Sequence, residues 1–247
     1  MNPVAPKHTS VEIRGTIMKL MTYTRSLELC ARMNYETENL DFIDHIRPGE
    51  IMYDLGACEG RFSIYAALKG IRVVSFEPEA KNFSVLCQNL KLNELEKDKV
   101  QPVNAAIGAS NGKATLDIGQ PWEGGHQKVV NHGEVRSDLN FNFVDKQEIQ
   151  VVTLDSFVAG CNLQPDYLKV DIDGSEVPFL HGAGKILGSK SLKGIIFELN
   201  EMDPGFSNIV DYLRSKGFLE KSRFQVPNEP HLYNIIYHRD QEGWDLL

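Results

Sequence analysis

The sequence predicts an α/β fold built on a doubly wound, mostly parallel sheet of seven strands. Three observations carry the prediction. Short apolar runs alternate with helical segments at the spacing of βαβ units from residue 50 onward. The first run ends in a glycine-bearing turn, Asp54-Leu55-Gly56-Ala57-Cys58-Glu59-Gly60, where a helix begins. The last two runs, 218–224 and 232–238, follow each other with no helix between them and read as an antiparallel C-terminal hairpin.

The elements follow in order. Residues 17–33 carry apolar side chains at loosely helical intervals, and 38–46 read as a second short helix stopped by Arg47-Pro48-Gly49. Residues 1–48 are therefore expected to form a helical extension that packs on the core or covers a ligand. Strands are predicted at 51–55, 72–76 and 100–105, with helices at 61–68 and 81–92. The alternation then breaks. Strands at 113–118 and 148–152 flank a polar, glycine-containing stretch, 119–147, that includes Trp122, His126 and His132. So long an irregular excursion in a compact domain reads as a substrate-facing insertion. The sheet resumes at 167–171, followed by a helix at 176–187, a strand at 194–198 and a helix at 206–216. The domain carrying this pattern spans 49–240.

Composition narrows the function. With 247 residues and 42% hydrophobic content, the chain can bury one sizeable core. A net charge of −8 argues against a broad nucleic-acid-binding face. Cys30, Cys58, Cys87 and Cys161 are widely spaced without a CxxC pair, so free thiols are expected rather than zinc or disulfides. No apolar stretch reaches bilayer-spanning length and the first ten residues lack a signal-peptide core, so a cytoplasmic protein is expected. A homo-oligomer is compatible with this composition.

The glycine turn and the strand ends carry the chemistry. Gly56 and Gly60 allow a tight turn and close approach of a ligand. Asp54 is placed to anchor a cationic group, and Glu77, one βαβ unit later, to accept two hydrogen bonds from a ribose diol. A dinucleotide site would carry G-x-G-x-x-G and no acid against its phosphates. S-adenosylmethionine has no phosphate and is positive at its sulfur and ammonium, so the electrostatics favour it over NAD. Asp171, Asp173, Glu198 and Asn200 fall at the ends of two strands expected to be neighbours. Asp171 reads as a general base or, with the other three, as an oxygen-donor site for a divalent cation such as Mg²⁺. Asp173 and Glu176 also read as caps of the following helix. His126 and His132 are further base candidates, Lys169 divides between structural and catalytic roles, and His181 reads as structural.

With these residues in view, the chain resembles the FkbM family of S-adenosylmethionine-dependent methyltransferases from about 49 to 198. The resemblance rests on Pro48-Gly49, Asp54-Leu55-Gly56-Ala57 with Gly60, and Phe76-Glu77-Pro78. It continues through Asn82-Phe83, Leu86, Asn89 and Leu92-Asn93, then Thr153-Leu154-Asp155. It ends in Leu168-Lys169-Val170-Asp171-Ile172-Asp173-Gly174-Ser175-Glu176 and Leu180-His181-Gly182-Ala183. Cys58 and Glu59 depart from it, standing where the family usually has Asn and an aliphatic residue. Asp173 and Ser175 replace the more common Glu and Ala. The resemblance implies a Rossmann-like, class I methyltransferase fold. It also implies a donor site at Asp54, Gly56, Ala57, Gly60, Glu77, Pro78, Asn104, Ala105, Ala106 and Asp171, with adenine near Asn104. The implied reaction is O-methylation of a sugar or small-metabolite hydroxyl, with Asp171, Asp173 and His126 as catalytic candidates. An N-methyltransferase, a nicotinamide-dependent oxidoreductase and a non-catalytic cofactor-binding module are the alternatives.

Overall fold

Side chains on the central strands alternate between two apolar layers, as a sheet covered on both faces requires. Tyr53, Leu55, Val74, Phe76, Leu168, Val170, Ile195 and Phe197 face one layer; Met52, Val73, Tyr167 and Ile196 face the other. All are buried, each of the larger ones contributing about 1.5–3 kcal/mol. The computed structural model describes residues 7–131 and 142–239.

The main sheet has seven strands in the order β12-β13-β11-β10-β3-β4-β5. Its parallel part consists of β3 (Ile51–Leu55), β4 (Arg72–Phe76), β5 (Val100–Val103), β10 (Tyr167–Val170) and β11 (Gly194–Asn200). The edge is the antiparallel pair β12 (Leu219–Gln225) and β13 (Leu232–His238), with β13 also antiparallel to β11. Helices α3 (Arg61–Leu68) and α4 (Ala80–Leu92) cover one face. Helices α5 (Leu154–Cys161), α6 (Glu176–Gly182), α7 (Gly184–Gly188) and α8 (Phe206–Ser215) cover the other. The strand order reverses between β3 and β10, leaving a crevice at the carboxyl ends of these two strands.

The N-terminal segment departs from the expected helical extension in its first half. Thr16–Met21 is a strand, β2, paired antiparallel with β1 (His8–Ile13). Met18 and Leu20 are buried whereas Ile17 is 64% exposed, so the pattern there has period two rather than 3.6. The turn between the strands is Arg14-Gly15, both with positive φ, as a tight hairpin favours. Helices follow at α1 (Arg25–Cys30) and α2 (Thr37–Asp44). Asn89 of α4 and its C-cap residue Asn93 hold the hairpin: they accept from the backbone N–H groups of Met21 and Lys19, both at 2.8 Å.

Where the alternation breaks, a second, four-stranded sheet forms in the order β6-β9-β7-β8. It contains the two expected strands as β7 (Gly112–Ile118) and β9 (Asp145–Val152), plus β6 (Ala106–Ile107) and β8 (Lys128–Asn131). The excursion is thus partly a strand, and residues 132–141, with His132, lie outside the described residues. All four cysteines are free; Cys30 is buried and Cys161 is exposed.

Several family-like residues have structural duties. Thr153 caps α5 by accepting from the Ser156 N–H, and Asp155 accepts from the N–H groups of Lys185 and Ile186 at the start of α7. A side chain at Gly182 would meet the Gly108 carbonyl oxygen at 2.0 Å.

Candidate active site

The parallel register sets a polar row across the sheet on the α3 face. Lys169 of β10 lies beside Asp54 of β3, which lies beside Ser75 of β4. Ser63 of α3 joins them, donating to Asp54 Oδ2 at 2.6 Å and sharing a hydrogen bond with Ser75. Lys169 Nζ stands 3.5 Å from Asp54 and 3.2 Å from Asp171. Burial alone would lower the pKa of Lys169, but the two aspartates raise it, so it stays charged. Asp54 is 1% exposed and its carboxylate lies behind the cavity wall rather than on it. The carboxylate is engaged by Lys169 and Ser63.

The turn after β3 is shaped by backbone approach. Gly56 has φ +85°, and a Cβ there would come within 1.8 Å of the Asp171 carbonyl oxygen. Gly60, with φ +89°, lies against Leu86 and not on the cavity wall. The turn is pinned to the neighbouring strand by the Gly56 and Ala57 N–H groups, which donate to the Phe76 carbonyl at 3.0 and 2.8 Å. Asn89 Nδ2 donates to the Glu59 carbonyl.

Glu77 ends β4 with its carboxylate inside. One oxygen accepts from the Cys58 N–H and the other from the Glu79 N–H, both at 2.9 Å. Burial pushes its carboxyl up to about 7, against the pull of Lys128 and these two donors. Asn104 turns away: it donates to the backbone carbonyls of Glu77 and Pro78 and does not line the cavity. It braces the strand end where Glu77 sits, while Ala105 and Ala106 form the wall.

These elements surround a cavity of about 580 Å³, large enough for a nucleoside-sized ligand. One end is lined by Gly56, Ala57, Glu77, Pro78, Ala105 and Ala106, the expected donor site. The other is lined by Asp171, Asp173, Glu198, Asn200 and His126. Because Val170 pairs with Phe197, the next residues, Asp171 and Glu198, meet where β10 ends beside β11. Asp171, Asp173 and Glu198 each bring a carboxylate oxygen within 4.8 Å of the other two. Burial, then repulsion from Asp171, raises Asp173 to about 7, partly offset by His126. Burial and the same repulsion hold Glu198 well above the ordinary carboxylate range. The Asn200 side-chain oxygen already accepts from the Met202 N–H. Asp173 does not cap α6: it accepts from the Lys128 N–H, while Glu176 accepts from the Gly174 N–H.

Several wall residues were not foreseen. Glu36, with φ 54°, comes from the N-terminal segment and pairs with Arg61 at 2.5 Å. Arg61 is buried in the first turn of α3, stacks over Tyr35 and hydrogen-bonds its hydroxyl. The loop between β12 and β13 adds Glu229, Pro230 and His231. A charge inside an otherwise apolar helix start was the available signal for Arg61; Glu36 and the hairpin loop carried none. The segment 119–127 is fastened by Asn82, which accepts from the Gly124 N–H and donates to the Gly125 carbonyl and to Cys58 Sγ.

A nucleoside-sized cavity at the carboxyl ends of a sheet in this order, closed by an antiparallel last pair, places the chain among the S-adenosylmethionine-dependent methyltransferases. The model of the methyltransferase FkbM domain matches residues 54–220, and the chain belongs to that family. It is similar to the 31-O-demethyl-FK506 methyltransferase FkbM of Streptomyces tacrolimicus, with 24% identity over 70% of this chain and 74% of that protein. Among solved structures, it is similar to the methyltransferase FkbM of Methylobacillus flagellatus KT. The TM-score is 0.51 at 18% identity over 76% of this chain, which spans only 43% of that longer one. It also shares the fold of wild-type Trm5b from Pyrococcus abyssi, with a TM-score of 0.51 at 14% identity over 95% of this chain and 56% of the other. Among the described residues no helix is long and apolar enough to cross a membrane.

Proposed function

We propose that this methyltransferase acts on a hydroxyl oxygen of a sugar or small metabolite. The observation that carries the reading is the carboxylate cluster opposite the donor end, with Asp173 raised to about 7 beside Asp171 and Glu198. A hydroxyl nucleophile must lose its proton, and a base whose pKa lies near the working pH is suited to take it.

S-adenosylmethionine supplies an electrophilic methyl group: the acceptor oxygen bonds to that carbon as the carbon–sulfur bond breaks, and the sulfur keeps the electron pair. The residues fit this donor. Glu77 presents an acceptor for a ribose diol, Ala105 and Ala106 leave a flat apolar wall, and the turn at Gly56 and Ala57 admits close approach. Asp173 is the candidate to receive the acceptor proton, with His126 beside it as a partner. Lys169 pairs with Asp171 and fixes its carboxylate in place. Much of the rate would come from holding the two reactants in line. The acidic cavity and the chain's negative charge favour a small neutral or cationic acceptor over a nucleic acid. The relative named for 31-O-demethyl-FK506 supports an oxygen acceptor.

A second reading is favoured by the same cluster: Asp171, Asp173 and Glu198 as ligands of Mg²⁺, which takes carboxylate oxygens and keeps several waters. Such an ion would activate the hydroxyl directly. The test is formation of S-adenosylhomocysteine with a panel of hydroxylated and aminated acceptors, with and without Mg²⁺ and after chelation. Turnover of a hydroxylated acceptor that survives chelation supports the base; turnover that requires Mg²⁺ supports the ion. Turnover confined to amines would overturn the oxygen assignment.

A further inference from the structure

Asp54 is held by Lys169 and Ser63, whereas Glu59 stands on the cavity wall with the properties that the positive end of the donor's amino-acid portion requires. It lies on the glycine turn, lines the cavity and is 2% exposed. Neither of its carboxylate oxygens has a hydrogen-bond partner. Its neighbours are Arg61, 3.6 Å away, the thiols of Cys30 and Cys58, and His126. Burial raises its pKa, yet the Arg61 guanidinium beside it holds it below the ordinary value. It is therefore an anion. A buried carboxylate without a strong donor is costly unless a cationic donor meets it.

We infer that Glu59 receives the α-ammonium group of the bound methyl donor, with Arg61 beside it facing the α-carboxylate. The position follows from the sheet. Glu77, at the end of β4, marks the ribose, and the turn that carries Glu59 follows β3, one strand nearer Asp171 and the acceptor end. The amino-acid portion must extend past the ribose on that side. An ammonium brings three donors to two empty acceptors, and the anion–cation pair of Glu59 and Arg61 matches the opposite charges of a zwitterion. The inference rests on the donor-site reading above.

The test is calorimetric titration of wild type and Glu59→Gln with two probes. S-adenosylhomocysteine carries the amino-acid portion; 5′-methylthioadenosine lacks it. The expected result is a roughly 10–100-fold loss of affinity for S-adenosylhomocysteine in the variant, with 5′-methylthioadenosine unchanged. Equal weakening of both probes would mean that Glu59 merely shapes the turn, and would overturn the inference. So would unchanged binding of both. A wild-type protein that binds neither probe would overturn the donor-site reading itself.

Discussion

The two ends of the cavity are built in different ways. The donor end is made of backbone: the turn at Gly56 and Ala57 is pinned to Phe76, and even the Glu77 carboxylate is set by two main-chain donors. The acceptor end is made of side chains from distant segments: Glu36, His126, Asp173, Glu198 and His231. A backbone-built site is fixed by the fold itself, so damage to it costs stability and donor binding together. A site made from side chains on loops can change its chemistry while the scaffold stays intact.

The sharpest test of this contrast is Asp173→Asn. If Asp173 is the base, kcat should fall roughly 10²–10⁴-fold with S-adenosylhomocysteine affinity preserved. In wild type, kcat/KM should rise with pH through about 7, since the base works ionised, and that limb should vanish in the variant. A comparable loss of donor affinity would erase the separation between the two ends.

Next in size is Gly56→Ala. The added methyl would collide with the Asp171 carbonyl at a backbone angle that disfavours any side chain. A loss of roughly 2–5 kcal/mol, seen as a lower melting temperature, is expected. A variant as stable as wild type would show that the turn is not the rigid element described.

A smaller effect should come from Glu77→Gln, which weakens S-adenosylhomocysteine roughly 10–100-fold while leaving any residual acceptor binding alone. Glu77 and Asp173 also bear on stability. Burial raises both acids in the native state, which therefore holds their protons more tightly than the unfolded chain does. Their contribution is greatest below the ordinary carboxylate range and declines as pH rises through about 7. Melting temperatures of Asp173→Asn and wild type should thus differ more at pH 8 than at pH 5. The smallest effect belongs to the exposed pair Lys113–Glu148 on the second sheet. Lys113→Ala should change stability by about 0.5 kcal/mol or less.

The same contrast decides what the sequence made legible. The donor end is local: Asp54 through Gly60 and Phe76 through Pro78 are short strings at strand ends, and periodicity finds strand ends. The cluster of Asp171, Asp173 and Glu198 was legible because the two strands were expected to be neighbours, and their register delivers the contact. Two side-chain directions were not legible. Asp54 shares the face of Met52 and meets Lys169, and Asn104 turns to the backbone of Glu77. Glu36 and the hairpin loop reach the cavity only through tertiary packing, which no local pattern records. The N-terminal hairpin was obscured by a run in which helical and alternating patterns overlap, and the Arg14-Gly15 turn was the signal that separates them.

Asn82 gives the molecule a rule of transplantation. Its one side chain grips Gly124 and Gly125 on the insertion and Cys58 on the donor turn. A chimaera that borrows residues 119–131 from a relative, to change what is methylated, imports half of a joint whose other half is in α4. Position 82 must stay asparagine and the graft must present backbone groups like those of Gly124 and Gly125, because a mismatched joint would loosen the imported loop and the donor turn together.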